Sequence, residues 1–244
     1  MTSYGQFCPV AKAAEIFAER WTPLVLRELL SGSHRFNDLH RGVPLISRSL
    51  LTQRLRQLED AGIVERRAAA RAGGSEYYLT AAGEEFRAVV MKLGEWGQRW
   101  TRRFESIDLD PNLLLWDMQR WLNLKRFPPR RVVIRFEFRG VPRVHRTCGR
   151  WWLMVEPDAV DVCIKDPGFE VDLVVTADLG AMTKLWLGDL GFRSALRDGL
   201  IALEGSREIC EAFPTWLALS PFATVDRPAE SPAPHAAATH AEPS

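Results

Sequence analysis

The stretch from residue 47 to residue 67 reads SRSLLTQRLRQLEDAGIVERR, and its spacing predicts a helix that leads into a short strand. Ser47 can cap this helix, because its hydroxyl can accept a hydrogen bond from a free backbone N–H of the first turn. Leu51, Leu55 and Leu58 recur at helical spacing. They predict one apolar stripe that faces a protein core.

The opposite face of this helix carries side chains that suit a DNA groove, and none of them is an acid. Arginine can bind guanine edges, glutamine can bind adenine edges, and serine or threonine can bind phosphates or bases. The candidate DNA-binding residues on this helix are Ser47, Arg48, Ser49, Thr52, Gln53 and Arg56. The alternative interpretation is a solvated amphipathic helix, because arginine-rich polar faces are common on protein surfaces.

The flanking sequence favours DNA binding over that alternative. A helix that begins at Pro23 and a second short helix precede the stretch, and together they match a helix-turn-helix pattern. Two extended runs, residues 63–67 and 75–79, flank a turn with a double glycine and predict a wing with a basic tip. A long amphipathic helix is predicted from about residue 81 to residue 104. The candidate DNA-binding residues outside the recognition helix are Arg35, Arg66 and Arg71.

Several segments between residues 7 and 103 keep the order and spacing of one family of regulators. They include Cys8-Pro9-Val10, Arg20-Trp21-Thr22, Arg35-Phe36-Asn37-Asp38-Leu39, Leu51 to Glu59, Gly62-Ile63-Val64 and Tyr78-Leu79-Thr80. On these residues the sequence resembles the HxlR-type, MarR-like winged helix-turn-helix transcription regulators of bacteria. The resemblance implies a homodimer that binds a palindromic operator in double-stranded DNA. It also implies that the first helix and the long helix form the dimer interface.

Charge and length predict two domains. Residues 1–103 carry 16 Lys and Arg against 11 Asp and Glu, whereas the remainder carries 16 against 20. A basic half joined to an acidic half is typical of a nucleic-acid module fused to a part that stays off DNA. At 244 residues the chain can form two cores. We predict a mainly α winged-helix domain for DNA binding and dimerisation over residues 1–105, a second domain over 106–225 and a disordered tail over 226–244.

The second half alternates apolar and polar residues, and tight turns separate the alternating runs. Predicted strands occupy residues 132–139, 151–155, 160–165 and 169–175. Predicted helices occupy residues 112–124, 179–187, 192–197 and 207–217. The expected architecture is an α+β domain with an antiparallel sheet and helices on one face.

This half also resembles a known domain, the sterol-carrier-like lipid-binding domain, over roughly residues 110–222. The segments that carry the resemblance are 169–178, 181–188, 200–205 and 209–217. In that family an apolar tunnel holds a ligand, so the resemblance implies a hydrophobic small-molecule effector. The candidate pocket residues are Trp116, Trp121, Phe136, Trp152, Met154, Leu185, Trp186 and Phe192. The alternative is that these side chains fill the core, as aromatic residues usually do.

Cys8 stands directly before Pro9, at the start of a predicted helix. The positive end of a helix dipole favours a thiolate there. Some HxlR-type regulators use a cysteine matching this position to sense electrophiles or oxidants, so the resemblance implies a thiol sensor at Cys8. The alternative is a buried, unreactive cysteine. The four cysteines form no C-x-x-C pair and predict no disulfide framework.

Other function classes find little support in the sequence. It contains no catalytic motif, no metal-ligand spacing and no cofactor loop, so we expect neither an enzyme nor a bound metal or cofactor. It shows no signal peptide, and its longest apolar run, residues 151–155, is too short to span a membrane. We therefore expect a cytoplasmic, nucleoid-associated protein without a membrane partner.

Two functional hypotheses remain at this point. The first is a DNA-binding transcription regulator whose second domain accepts a hydrophobic effector. The second is a carrier of lipids or hydrophobic metabolites, or an unrecognised enzyme, that keeps the winged helix only as an interaction module. The sequence favours the regulator, because a carrier has no need for Arg48, Gln53 and Arg56 on a face without acids.

Overall fold

The computed structural model describes residues 3–69, 74–101, 104–145 and 149–228. The N-terminal region, residues 3–101, contains helices and a two-stranded hairpin. Its elements are α1 (Pro9–Phe17), α2 (Thr22–Leu30), α3 (Phe36–Gly42), α4 (Arg48–Asp60), β1 (Val64–Ala68), β2 (Ser75–Leu79) and α5 (Ala81–Trp100). Strands β1 and β2 pair antiparallel. This order confirms the predicted winged helix-turn-helix.

Helix α4 forms where the apolar stripe predicts it. The Ser47 hydroxyl accepts a hydrogen bond from the backbone N–H three residues further on, at 3.2 Å. Leu51, Leu55 and Leu58 are buried in the N-terminal core, as predicted. Gly62 follows the helix with a φ of 70°, a left-handed conformation that glycine adopts at little steric cost. Strand β1 then begins.

Helix α5 begins at a capped residue and ends earlier than the sequence predicts. The Thr80 hydroxyl accepts a hydrogen bond from the backbone N–H of Gly83 at 3.2 Å. The predicted helix extends to residue 104, but α5 ends at Trp100. It ends there because Thr101 adopts an extended backbone with a ψ of 158°.

The C-terminal region, residues 104–228, is an α+β structure, as predicted. Its helices are α6 (Pro111–Met118), α7 (Leu179–Trp186), α8 (Phe192–Arg197) and α9 (Arg207–Trp216). Its strands are β3 (Val132–Arg139), β4 (Arg150–Glu156), β5 (Ala159–Cys163), β6 (Leu173–Asp178) and β7 (Ile201–Gly205). They form one sheet in the order β5-β4-β3-β6-β7. Strand β7 belongs to a segment for which the sequence patterns predicted no strand.

The prediction that this sheet is antiparallel is wrong, because β3 and β6 pair in parallel. Strands β3, β4 and β5 are consecutive neighbours in the sheet. After β5 the chain returns to the other side of β3, and β6 pairs there instead of beside β5. Asp172 fixes this entry point. Its carboxylate accepts hydrogen bonds from the backbone N–H of Val133 at 2.8 Å and from Arg130 Nη1 at 2.7 Å. The sheet is therefore mixed.

One face of the sheet packs against the helices and forms the C-terminal core. Residues such as Ile134, Leu153 and Val175 point to this face, and they are fully buried. The largest fully buried side chains of this core are Trp151, Trp216, Phe136 and Phe213. Helices on one face of the sheet are thus as predicted.

Two further features of the described residues concern membrane and metal binding. None of the helices in this part of the chain is long and apolar enough to cross a membrane. The same residues contain no group of three or more His, Cys, Asp or Glu side chains placed to hold a metal ion.

Candidate nucleic-acid interface

The outer face of α4 presents exposed polar side chains that include Arg48, Ser49, Gln53 and Arg56. Gln53 and Arg56 lie three residues apart, so they are neighbours on the helix surface. Neither makes a side-chain hydrogen bond or an ion pair within the described part of the chain. Their donors are therefore free for a ligand such as a base edge.

The first turn of α4 is held in place by its own polar side chains. Arg48 Nη1 donates to Asn37 Oδ1 at 3.1 Å, and its guanidinium lies 5.6 Å from the centre of the Phe36 ring. The Ser47 hydroxyl caps the helix, and the Thr52 hydroxyl donates to the Arg48 carbonyl at 2.9 Å. Ser47 therefore stabilises the helix, the Thr52 hydroxyl is bonded within it, and Arg48 is positioned at its N-terminal end.

Arg54 lies on the same helix, but its side chain is bonded to other residues of the protein. Its Nε donates to the Arg20 carbonyl at 3.0 Å, and its Nη2 lies 2.8 Å from Glu19 Oε2. Only 11% of the Arg54 side chain is exposed. It joins α4 to the segment between α1 and α2, which explains why it does not belong to the exposed set.

The described part of the wing carries basic residues with neighbouring partners. Arg66 Nε donates to Ser75 Oγ at 2.6 Å. Arg35, just before α3, donates to Glu76 Oε1 at 3.3 Å. The Tyr78 hydroxyl and Arg35 both donate to Glu76, and they hold the pKa of this carboxyl below its ordinary value. Arg71, the remaining candidate of the wing, lies outside the described residues.

A buried carboxylate joins the two regions of the molecule, and the sequence patterns gave it no role. Glu28 of α2 is 0% exposed. It accepts hydrogen bonds from Arg27 Nη2 at 2.9 Å, from Trp116 Nε1 at 3.2 Å and from both terminal nitrogens of Arg120. Arg120 also donates to Ser33 Oγ at 2.9 Å. We call Glu28, Arg27, Trp116 and Arg120 the junction cluster.

Burial and hydrogen bonding act in opposite directions on the Glu28 carboxyl. Burial raises its pKa, because a low-dielectric environment penalises the charged form. Donation from Arg120 and the positive charges of Arg27 and Arg120 outweigh burial, so the pKa lies below the ordinary glutamate value. The carboxylate therefore stays ionised at neutral pH.

A second contact joins α5 to the end of the C-terminal region. A Cβ atom at Gly94 would lie 2.2 Å from the Phe222 ring, so the glycine permits close packing there. One turn further on, Gln98 Nε2 donates to the Leu187 carbonyl at 3.2 Å. The C-terminal region thus contacts both α2 and α5 of the N-terminal region.

Comparison with known proteins places the N-terminal region in a family. Residues 16–105 match the HxlR-like helix-turn-helix family. The chain is 31% identical to YvaP, an HTH-type transcriptional regulator of Bacillus subtilis, over 112 residues that make up 45% of this chain and 96% of YvaP. It is 33% identical to the regulator YybR of the same organism over 92 residues, 37% of this chain and 74% of YybR.

The chain belongs to the HxlR-like helix-turn-helix family. It is a DNA-binding transcription regulator of the HxlR type, as the sequence predicted. Two solved structures of similar proteins are the reduced form of the transcriptional regulator YodB from B. subtilis and the oxidized form of the redox regulator HypR. The YodB structure is 28% identical, with a TM-score of 0.36, and the match covers 41% of this chain and 100% of YodB. The HypR structure is 31% identical, with a TM-score of 0.37, and the match covers 40% of this chain and 100% of HypR.

The junction cluster crosses the boundary of the HxlR-like segment. Glu28 and Arg27 lie inside the matched residues 16–105, whereas Trp116 and Arg120 lie beyond them. The cluster therefore ties the helix-turn-helix of this regulator to its C-terminal region. One sequence feature could have indicated this cluster: Glu28 follows Val25 by three residues, which places a glutamate on the buried face of α2.

The candidate effector-pocket residues of this HxlR-like regulator occupy several places. Phe136, Leu185 and Trp186 are buried in the C-terminal core, and Phe192 packs against it. Trp121 is partly exposed beside α6. The remaining three are divided between the sheet and the junction: Trp152 and Met154 alternate with core-facing residues of β4, and Trp116 belongs to the junction cluster. Trp152 and Phe136 thus lie on opposite faces of the sheet.

Cys8 is half-buried at the start of α1, and its backbone carbonyl accepts a hydrogen bond from the Lys12 N–H at 3.0 Å. Cys163 and Cys210 are also half-buried free thiols. Burial and the negative charge of Asp161 raise the pKa of the Cys163 thiol, and Arg41 opposes them weakly. Cys148 lies outside the described residues, as does most of the predicted tail, residues 229–244.

Proposed function

We propose that this regulator binds DNA as a homodimer and reads base edges with Gln53 and Arg56 of α4. The observation that carries the proposal is the exposure of these two side chains without a partner in the described part of the chain. Arginine suits guanine, and the glutamine amide suits adenine. Ser49 and the positioned Arg48 lie on the same face and are assigned to phosphate or base contacts.

The test is an Arg56→Ala substitution, measured against an operator selected from random duplexes. We expect specific binding to weaken by about 1–3 kcal/mol if Arg56 makes a bidentate base contact, with little change on random DNA. Arg207→Ala serves as the control, because Arg207 is 90% exposed on α9, far along the chain from the helix-turn-helix. Unchanged affinities of Arg56→Ala for both operator and random DNA would overturn the assignment.

Arg35, Arg66 and Arg71 are assigned to the phosphate backbone. The first two lie on or beside the wing, and their partners Glu76 and Ser75 are partly exposed neighbours that a phosphate can replace. Removing one phosphate contact should reduce the slope of log affinity against log salt by about 1. Equal slopes for Arg66→Ala and the wild type would contradict this role for Arg66.

The proposed dimer interface is formed by α5 and by the residues around α1. Apolar side chains of α5 recur at helical spacing and stay exposed in the single chain: Val89, Leu93, Trp96 and Trp100. Phe7, two residues before the start of α1, is 98% exposed. Contiguous exposed apolar surface is typical of an interface between proteins. Dimerisation here would place two copies of α4 about one DNA turn apart, roughly 34 Å.

The oligomeric state tests this interface directly. Trp96→Glu should convert a dimer to a monomer in sedimentation equilibrium, because two buried acids would repel each other across a twofold axis. Ile164→Glu is a matched control, since Ile164 is 52% exposed but lies after β5. A wild-type monomer at micromolar concentration, or a Trp96→Glu dimer, would rule this interface out.

We also propose that Cys8 is a reactive thiol whose modification changes DNA binding. The proposal is supported by the place of Cys8 directly before the first turn of α1, at the positive end of the helix dipole, and by its partial exposure. Iodoacetamide should therefore label Cys8 faster than Cys163, whose thiol has a raised pKa. Equal labelling rates in the native protein and in a free peptide around Cys8 would contradict the proposal.

Control by a hydrophobic small molecule in the C-terminal region is the remaining part of the proposed function. It is supported by the contacts of that region with α2, through Glu28, and with α5, through Gly94 and Gln98. A ligand that shifts the C-terminal region would displace these two helices relative to each other. The operator affinity would then change by a coupling free energy of about 1–3 kcal/mol.

A further inference from the structure

A cleft of about 150 Å³ lies between the two regions, next to the junction cluster. A cavity of about this volume can hold a benzene-sized molecule. Its apolar lining includes Leu109, Leu113, Leu114, Trp116 and Trp186. Two of these, Trp116 and Trp186, are also candidate effector-pocket residues from the sequence. The cleft has carboxylates as well, from Asp108, Asp110 and Asp117.

The cationic side chains of this cleft already have partners. Arg27 and Arg120 line it, but both donate to the Glu28 carboxylate. Their remaining donors reach the Gly42 carbonyl at 2.9 Å and Ser33 Oγ at 2.9 Å. The lining thus has two arginines against Glu28 and three aspartates, which leaves the cleft with an excess of negative charge.

Two of the aspartates keep one carboxylate oxygen without a hydrogen bond from a described residue. Asp117 Oδ2 accepts a hydrogen bond from Trp186 Nε1 at 2.9 Å, while its Oδ1 lies 3.9 Å from Arg120, beyond hydrogen-bond distance. Asp108 Oδ2 accepts from the Glu105 backbone N–H at 2.8 Å. Asp108 Oδ1 has no such donor within the described ranges. Asp110 is less open, because its Oδ1 accepts two hydrogen bonds from Asn112.

We propose that this junction cleft binds a small organic cation with an apolar body, such as an aromatic or alkyl amine. The ammonium group would pair with Asp117 and Asp108, and the apolar body would pack against leucines 113 and 114. An amine suits the site better than a neutral molecule, because carboxylate oxygens without donors gain charge-assisted hydrogen bonds from it. An acid is disfavoured by repulsion from the aspartates.

A ligand in this cleft would affect the helix-turn-helix through the contacts of Arg120. An ammonium at Asp117 Oδ1 would compete with Arg120, which lies 3.9 Å away and holds Glu28 of α2. Binding would therefore change how firmly α6 is held against α2. This regulatory consequence rests on the proposed function, whereas binding of the amine does not.

The first test measures binding of benzylamine to the full chain by isothermal titration calorimetry. Benzyl alcohol and benzoate are the matched probes, because they share the ring and differ in charge. Benzylamine should bind at least about tenfold more tightly than benzyl alcohol, and benzoate should bind more weakly than either. Equal dissociation constants for the amine and the alcohol would overturn the proposal.

Substitutions locate the site. Asp117→Asn and Asp108→Asn should each raise the benzylamine Kd by about tenfold. The asparagine at residue 117 can still accept from Trp186, so the fold is preserved. Asp158→Asn, in the exposed turn between β4 and β5, should leave the Kd unchanged. Unchanged Kd values in both cleft variants, with benzylamine bound, would place the amine elsewhere and overturn the assignment.

The second test separates binding from regulation. Saturating benzylamine should change the operator affinity by a factor of about 5 to 150. The Asp117→Asn variant at the same benzylamine concentration should show a smaller change. Unchanged operator affinity in a protein that binds benzylamine overturns the regulatory part alone. If the protein without any ligand does not bind an operator, the proposed function is contradicted. The calorimetric result still determines whether the cleft binds an amine.

Discussion

The exposed face of α4 and the junction cluster both depend on arginine, and they use it in opposite ways. Arg56 is exposed and has no partner within the described part of the chain. Arg120 is 11% exposed and donates to Glu28 and to Ser33. An exposed arginine without a partner contributes little to the free energy of folding, and its donors stay available for a ligand. A buried, paired arginine contributes to that free energy, because its removal leaves a buried charge unpaired. The difference separates a candidate ligand contact from a structural one.

Arg120→Met is expected to cause the largest loss of stability. It removes two hydrogen bonds from a carboxylate that stays buried, and breaking a buried ion pair costs about 3–5 kcal/mol. Urea unfolding at neutral pH measures the loss. Arg207→Met is the matched control and should change stability by less than about 0.5 kcal/mol, because Arg207 is 90% exposed.

A double substitution identifies the cause of that loss. Adding Glu28→Met to Arg120→Met should restore most of the stability, because an apolar pair of similar volume often replaces a buried ion pair without cost. A double variant as unstable as Arg120→Met alone would show that lost packing, and not the buried carboxylate, is responsible.

Gly42→Ala is expected to have the next largest effect. A Cβ at residue 42 would lie 1.8 Å from Glu28 Oε2, and the carboxylate could move only by giving up hydrogen bonds. We expect a loss of about 1–3 kcal/mol in urea unfolding. Gly191→Ala is the matched control, because its Cβ would meet only Ser194 Oγ, at 3.9 Å, and its φ of −74° suits any residue.

The same collision provides a coupling test. In a Glu28→Ala background the Cβ at residue 42 meets no carboxylate, so Gly42→Ala should cost much less there than in the wild type. Equal costs in the two backgrounds would contradict the close approach of α3 to Glu28.

Acid should weaken the junction cluster in a defined direction. The folded pKa of Glu28 lies below its ordinary value of about 4.3, so its contribution to stability is fully present above that pH. The contribution is lost as the pH falls below about 4.3 and through the folded pKa, by at most about 1.4 kcal/mol per pH unit. The measurement is the difference in unfolding free energy between the wild type and the Glu28→Met/Arg120→Met variant, followed from pH 7 downward. A difference that stays constant would contradict the lowered pKa.

The sequence predicts helix α4 and its buried stripe, whereas it does not predict the junction cluster, for a physical reason. Leu51, Leu55 and Leu58 reveal a buried stripe through spacing within a single helix. Glu28 and Arg120 are 92 residues apart, and no local pattern connects them. The parallel pairing of β6 with β3 was missed for the same reason, since it depends on where the chain crosses the sheet.

Residue types still carried part of the information about the junction. Trp116 and Trp186 are candidate pocket residues because their side chains are aromatic, and both line the cleft between the regions. Phe136 has the same chemistry but is fully buried in the C-terminal core. Composition therefore identifies aromatic residues with a role in packing or binding, and only the fold separates the two roles.

The smallest effect on stability is expected for a substitution of Arg56. Arg54 allows a direct comparison of a paired and an unpaired arginine, because both lie on α4. Arg54→Ala should lower the unfolding free energy by about 1 kcal/mol, since it removes bonds to the Arg20 carbonyl and to Glu19. Arg56→Ala should change it by no more than about 0.5 kcal/mol while weakening operator binding. The two variants are compared by urea unfolding and by operator titration on the same preparations. A lower stability of Arg56→Ala than of Arg54→Ala would show that Arg56 stabilises the fold. Arg56 would then not be a free arginine, and the DNA-binding assignment, which depends on it, would lose its support.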